Sequence, residues 1–190
     1  YHALSELDEE LEHVGLRLTV RRGPSLDTLR SLVESHRVRR VYWNRRYEPV
    51  VIKRDTRIKS ELREHGTEVE TFNSALLFEP HEVANQSGKP FRVFPPFWKH
   101  LYGRSRRPPV EVDTAALVAP QQYPASITVD ELGLMPDISW DTEFYQQWKP
   151  GLEDAREALK EFANQRARDY KRKRDLPGYE GTSRLSPYLH

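Results

Sequence analysis

The sequence predicts a parallel α/β sheet wound with helices on both faces, and three observations carry that reading. Short helical and strand patterns alternate through the first 72 residues, each with its own period. Twelve of the fourteen prolines follow Glu79, so regular structure is confined to the first part and to one later helix. Leu, Ile, Val and Phe make up 24% of the 190 residues, enough for one folded core.

The elements follow in order. Leu4, Leu7, Leu11 and Val14 recur at steps of three and four, which is the stripe of a helix over 3–14, stopped by Gly15. Leu16-Arg17-Leu18-Thr19-Val20 alternates and predicts a strand. Leu26, Leu29, Leu32 and Val33 give a second helix behind Pro24-Ser25. Val38 and Val41-Tyr42-Trp43 predict a second strand, residues 50–64 a third helix ending at His65-Gly66, and residues 67–72 a third strand. Helices between strands imply right-handed crossovers and a parallel sheet. The chain starts with a helix, so a preceding strand of the sheet is expected to be missing. No Gly-rich phosphate fingerprint ends any strand, which favours a flavodoxin-like module over the Rossmann-like dinucleotide fold.

Beyond Trp98 the periodicity fades. Pro90 to Trp98 predicts an apolar corner, and the proline-rich stretch from Arg104 to Pro150 a tether over the surface. A helix returns over 152–170 with Leu152, Ala155, Leu159, Phe162, Ala163 and Arg166 on one side. It runs into Lys171-Arg172-Lys173-Arg174, cations that suit a helix C-terminus.

Composition excludes several classes. Thirty basic against twenty-nine acidic residues give a net charge of +1, so any nucleic-acid contact must be local. The longest apolar run, Ala115–Ala119, is far short of the ~20 residues that span a bilayer. Without cysteine there is no disulfide, thiolate metal site or Cys nucleophile. The seven histidines form no i,i+4 metal pair, and neither a nucleophile elbow nor a P-loop is present. A soluble, cytoplasmic protein without metal is expected.

Three segments are candidates for chemistry. In residues 181–190, Gly-Thr-Ser-Arg-Leu-Ser-Pro-Tyr-Leu-His, three hydroxyls and a guanidinium lie within five residues of one another. Such groups at a helix start make a phosphate cradle, and they equally describe a capped helix with an exposed arginine. Tyr42 to Pro49 mixes aromatics with charge at a strand end and reads as a stacking surface or as the rim of the sheet. Arg166, Arg168 and Lys171 to Arg174 can meet DNA phosphate or form a solvated helix end.

Three blocks together resemble the DNA photolyase/cryptochrome family, in the class I type of deoxyribodipyrimidine photolyase. They are Tyr42-Trp43-Asn44-Arg45-Arg46-Tyr47-Glu48-Pro49; residues 88–98, Gly-Lys-Pro-Phe-Arg-Val-Phe-Pro-Pro-Phe-Trp; and Tyr170 through Arg174-Asp175 on to the 181–190 segment. Leu132-Gly133-Leu134 and Trp148-Lys149-Pro150-Gly151 resemble the family's linker. The resemblance implies an α/β antenna domain over 1–104, a linker over 105–150 and the start of an all-α FAD-binding domain over 151–190. It implies an internal fragment, with an opening strand before Tyr1 and the flavin-ring and lesion pockets beyond His190. The fragment alone is then not expected to repair DNA.

The activity implied is blue-light repair of cyclobutane pyrimidine dimers in UV-damaged DNA by electron transfer from reduced FAD. A cryptochrome photoreceptor using the same flavin is the alternative, and a free-standing nucleotide-binding module a third possibility. By the resemblance, Tyr170, Thr182, Ser183, Arg184, Leu185 and Ser186 contact FAD near its phosphates and ribose, and Arg174 contacts DNA. No catalytic residue falls within the span, and a monomer off the membrane is expected. Folate-using members carry Asn-Glu where this chain has Val50-Val51. Methyl groups cannot hydrogen-bond a pterin, so an antenna chromophore is expected to be a deazaflavin or flavin rather than methenyltetrahydrofolate, or to be absent.

Overall fold

A computed structural model describes residues 1–73, 76–104, 108 and 113–188. The chain divides into two compact units, Arg22–Asp113 and Tyr1–Arg21 together with Thr114–His190.

The first of these units holds the sheet. Helix α1 (His2–His13) lies outside it, and the unit opens with helix α2 (Ser25–His36). Pro24 precedes α2, and Arg37 ends it in the left-handed conformation at φ 51°, its N–H donating to the Val33 carbonyl. Strand β1 (Arg40–Asn44) follows, then helix α3 (Pro49–Glu64), whose first residue is a proline that needs no intrahelical donor. Strand β2 (Glu68–Phe72) pairs parallel to β1 with Val41 opposite Val69 and Trp43 opposite Thr71.

Those inward positions make the core. Ile58 and Leu62 of α3 and Val69 of β2 are buried, and Leu26, Leu29, Val33, Val41 and Trp43 pack against them. Each fully buried aliphatic side chain contributes about 1.5–3 kcal/mol. Both helices therefore cover one face. The other face carries Tyr42 and Phe72, each about half exposed, their rings 6.0 Å apart.

The mixed α/β class and the parallel sheet are as the sequence predicts, with three corrections to detail. Among the described residues the sheet has two strands covered on one face, not three covered on both. The alternating segment over 16–20 is extended but forms only an isolated antiparallel bridge from Val20 to Ile127. Its amides are spent on side chains: Leu18 N–H donates to Asp8 Oδ1 at 2.8 Å and Val20 N–H to Ser126 Oγ at 2.8 Å. The expected corner at Pro90 to Trp98 includes the first half of helix α4 (Phe94–Tyr102), because Pro95 and Pro96 fall in a first turn that tolerates them.

In the second unit, described residues 114–150 contain only short 3₁₀ turns and the Ile127 bridge. Helix α5 (Leu152–Glu161) then begins beside α1: both carboxylate oxygens of Glu6 accept the Leu152 N–H, at 2.9 and 3.1 Å. This tertiary contact replaces a local cap, and Gly151 gives it room at φ 148°. The helix continues through a π-turn (Phe162–Arg166) and a 3₁₀ turn (Ala167–Asp169) into α6 (Tyr170–Lys173). Among the described residues no helix is long and apolar enough to cross a membrane, and no cluster of potential metal ligands occurs.

Candidate functional site

The candidate cofactor residues lie where the chain folds back over the end of α6. Leu176 N–H donates to the Lys173 carbonyl, Tyr179 N–H to Leu176 and Gly181 N–H to Tyr179, at 3.1, 3.1 and 2.9 Å. These bonds reverse the chain within eight residues. Gly181 is buried against the helix end: a Cβ there would sit 2.5 Å from the Lys173 carbonyl carbon and oxygen. The Lys173 ammonium lies 5.9 Å from the Tyr179 ring centroid and closes the same turn.

That packing brings the 182–186 segment to the helix that carries Tyr170. Tyr170 is 39% exposed, meets Phe162 edge-on at 5.9 Å, and has the Arg174 guanidinium over its ring at 5.7 Å. Thr182, Arg184 and Ser186 are exposed, while Ser183 and Leu185 are half-buried. Leu185 N–H donates to Ser183 Oγ at 3.4 Å. Among the described residues the hydroxyls of Thr182 and Ser186 have no hydrogen-bond partner, and neither do the backbone N–H groups of Thr182, Ser183 and Arg184. Arg184 takes the left-handed conformation at φ 53°, rare for a bulky residue and typical of sites where the surroundings impose it. Ser186–Tyr188 forms a 3₁₀ turn, with Tyr188 Oη donating to the Lys149 carbonyl at 3.0 Å, and the continuation of the expected helix start lies outside the described residues. A cavity of about 360 Å³ lined by Glu143, Phe144, Gln147 and Trp148 opens beside Arg184.

Charge around this elbow is partly committed. Arg166 Nη2 lies 2.5 Å from Glu161 Oε1 and 2.7 Å from Glu180 Oε2, and Glu180 Oε1 lies 3.6 Å from Arg184 Nη1. Asp169 pairs with Lys173 at 2.9 Å and with Arg172 at 3.2 Å. The hydrogen bond from Lys173, with the Arg172 charge beside it, holds the Asp169 carboxyl below its ordinary pKa. Arg174 pairs with Asp175 at 3.3 Å and stays half exposed. The basic run is thus a set of local pairs, with Arg168 and Lys171 outside any ion pair among the described residues.

Sequence reasoning picked out Arg166 as a member of that run and of the 152–170 helix face, and missed Glu180. Its signal was the Glu180–Arg184 spacing of four, unreadable as a pair without knowing that the chain turns there.

The Tyr42 to Pro49 block has a structural centre in the other unit. Arg45 donates to Glu79 Oε1 from Nε and Nη2 at 2.9 and 2.6 Å and to the Thr71 carbonyl at 2.5 Å, while Tyr47 Oη donates to Glu79 Oε2 at 3.0 Å. Glu79 is 5% exposed. Burial pushes its pKa up, but the hydrogen bonds from Arg45 and Tyr47 outweigh burial and hold it below the ordinary value. Arg46 pairs with Glu48 at 2.5 Å, and that hydrogen bond brings Glu48 down to about 2. The block ties the end of β1 to residue 79.

Residues 1–117 match the family model described as DNA photolyase. Over 191 aligned residues the chain is 36% identical to a deoxyribodipyrimidine photo-lyase of Agrobacterium fabrum, covering all of this chain and 40% of that protein. Cryptochrome-2 of Arabidopsis thaliana is 31% identical, with 99% of this chain and 32% of that one covered. The crystal structure of a bacterial class III photolyase from Agrobacterium tumefaciens superposes with a TM-score of 0.89 at 34% identity, over 99% of this chain and 39% of its own. A Synechocystis cryptochrome shares the fold at 20% identity, with a TM-score of 0.81 over 98% of this chain and 40% of that one. The chain thus spans 32–40% of the length of these relatives. The match over 1–117, joined to an identity that runs the whole length, places this chain in the DNA photolyase family.

Proposed function

We propose that the protein carrying this chain repairs cyclobutane pyrimidine dimers in DNA with light, using FAD. The observation behind the proposal is the 36% identity along the full 190 residues to a protein named deoxyribodipyrimidine photo-lyase. The residues fit the cofactor. A diphosphate needs several donors in one place, and the 181–186 segment offers two free hydroxyls, three free amides and the exposed Arg184 guanidinium, which faces the Glu180 carboxylate at 3.6 Å. Thr182, Ser183, Arg184, Leu185 and Ser186 would hold the phosphates and ribose, and Tyr170 would close the site from the helix. Bound FAD supplies the light absorption and the electron that the cyclobutane ring borrows and returns. Arg174 would meet DNA phosphate; its place over Tyr170 links the two functions in one helical turn.

The setting is that of a cytoplasmic monomer. An antenna chromophore, where one is used, is a deazaflavin or flavin rather than methenyltetrahydrofolate. Val50, the second residue of α3, is 79% exposed and offers a pterin only methyl groups. Reconstitution of the complete protein with methenyltetrahydrofolate is expected to leave no stoichiometric near-ultraviolet absorption; its appearance refutes the assignment.

Illumination of the complete protein, loaded with reduced FAD, on thymine-dimer DNA tests the main reading. Dimers are expected to disappear only in the light. The similarity to Cryptochrome-2 favours one other reading, a photoreceptor. FAD bound with no repair under saturating light decides for it.

A further inference from the structure

We infer that Arg166 is a positioning residue for the FAD diphosphate, acting by drawing the Glu180 carboxylate away from close pairing with Arg184. The inference rests on the FAD reading of the 182–186 segment. Glu180 lies four residues before Arg184, on the same exposed turn, and its carboxylate faces two guanidiniums. It sits 2.7 Å from Arg166 and only 3.6 Å from Arg184. The shorter contact is made by the better-held partner: the Arg166 side chain is 19% exposed, that of Arg184 49%.

The helix explains why Arg166 is there. It is the last residue of the π-turn, where one residue beyond the α-helical count rotates the side chain out of the register that the upstream apolar stripe sets. Glu161, at the end of α5, takes the same Nη2 at 2.5 Å and fixes the guanidinium from the other side. A cation clamped between two carboxylates therefore takes the tighter share of Glu180 and leaves Arg184 the looser ion pair at 3.6 Å. Without it, Glu180 is free to close on Arg184 and neutralise the charge that an incoming phosphate needs. Glu143 is a further acid that lines the cavity beside Arg184.

The double substitution separates this from a structural role. In the complete protein, FAD affinity of Arg166→Gln is expected to fall about fivefold, the range of an exposed ion pair. Adding Glu180→Gln removes the competitor and is expected to restore affinity to within about twofold of wild type. Arg166→Lys keeps a cation against Glu180 and is expected to bind FAD like wild type, which guards against misfolding of the glutamine variant. The inference is overturned if Arg166→Gln binds FAD normally, or if the double variant stays as weak as the single one. Wild-type protein that binds no FAD overturns the FAD reading itself. A wild-type protein that binds it while these variants fail to diverge overturns only the role given to Arg166.

Discussion

Replacing Gly181 by alanine probes the elbow with one methyl group. Its φ lies outside the left-handed region, so the effect is steric rather than conformational. The added carbon would stand 2.5 Å from both the carbon and the oxygen of the Lys173 carbonyl and 2.8 Å from the Lys173 Cβ, whereas ordinary contact is 3.4–4 Å. Two of those atoms are helix backbone and cannot rotate away, so one segment must retreat by about 1 Å at a cost of about 1–3 kcal/mol. A shift of that size carries Glu180 out of hydrogen-bond range of Arg166, now at 2.7 Å, and displaces Thr182 with it. FAD affinity of the complete protein, measured by calorimetry, is expected to fall about tenfold. Gly178→Ala is the control, because nothing lies within 4 Å of its added carbon. If the two alanine variants bind FAD alike, Gly181 does not set the position of the cradle.

Further outcomes follow from the same geometry. Arg174→Ala is expected to weaken binding to UV-damaged DNA at every sequence and to reduce the slope of log K against log salt by about 1; an unchanged slope removes Arg174 from the DNA interface. Arg45→Met leaves the Glu79 carboxylate buried without its guanidinium and is expected to cost about 2–3 kcal/mol in denaturant unfolding, less than a fully enclosed pair because Arg45 is 37% exposed. Glu79 titrates lower in the folded chain than its ordinary 4.5, so its stabilisation is full above that pH and drains away as pH falls through the depressed value. Glu79→Gln is therefore expected to flatten the loss of stability below about pH 4.5, and an unaltered acid profile contradicts the assignment. In hydrogen exchange, amides of α5, which has no buried residue, are expected to be less protected than those around Ile58 and Leu62. Glu6→Ala is expected to lower the α5 protection further, by about 1 kcal/mol.

Local periodicity made most of the first unit legible. Both sheet strands and the helices before and after β1 fall within two residues of the sequence expectation, because each carries its buried positions at the period of its own structure. The alternation at 16–20 misled for a physical reason. Period two marks any extended segment with one packed side, and only the partners of its amides, here Asp8 and Ser126, tell whether it joins a sheet. Helix α4 was hidden by prolines that a first turn accepts. At the site, Thr182 to Ser186 stood out by residue type and by resemblance, and Tyr170 by resemblance alone. The reasons they lie together did not: Gly181 against Lys173 and the Arg166–Glu180 pair join residues 8 and 14 positions apart, which pattern alone cannot pair.

The claim that the hydroxyl-and-guanidinium segment grips a diphosphate is tested most directly by comparing FAD with riboflavin, which lacks it, on the complete apoprotein and its Arg184→Gln variant. Wild type is expected to prefer FAD strongly, and the substitution to remove about tenfold or more of that preference while leaving riboflavin affinity unchanged, through the loss of charge-assisted hydrogen bonds to phosphate. An Arg184→Gln protein that discriminates between the two ligands as wild type does contradicts the claim.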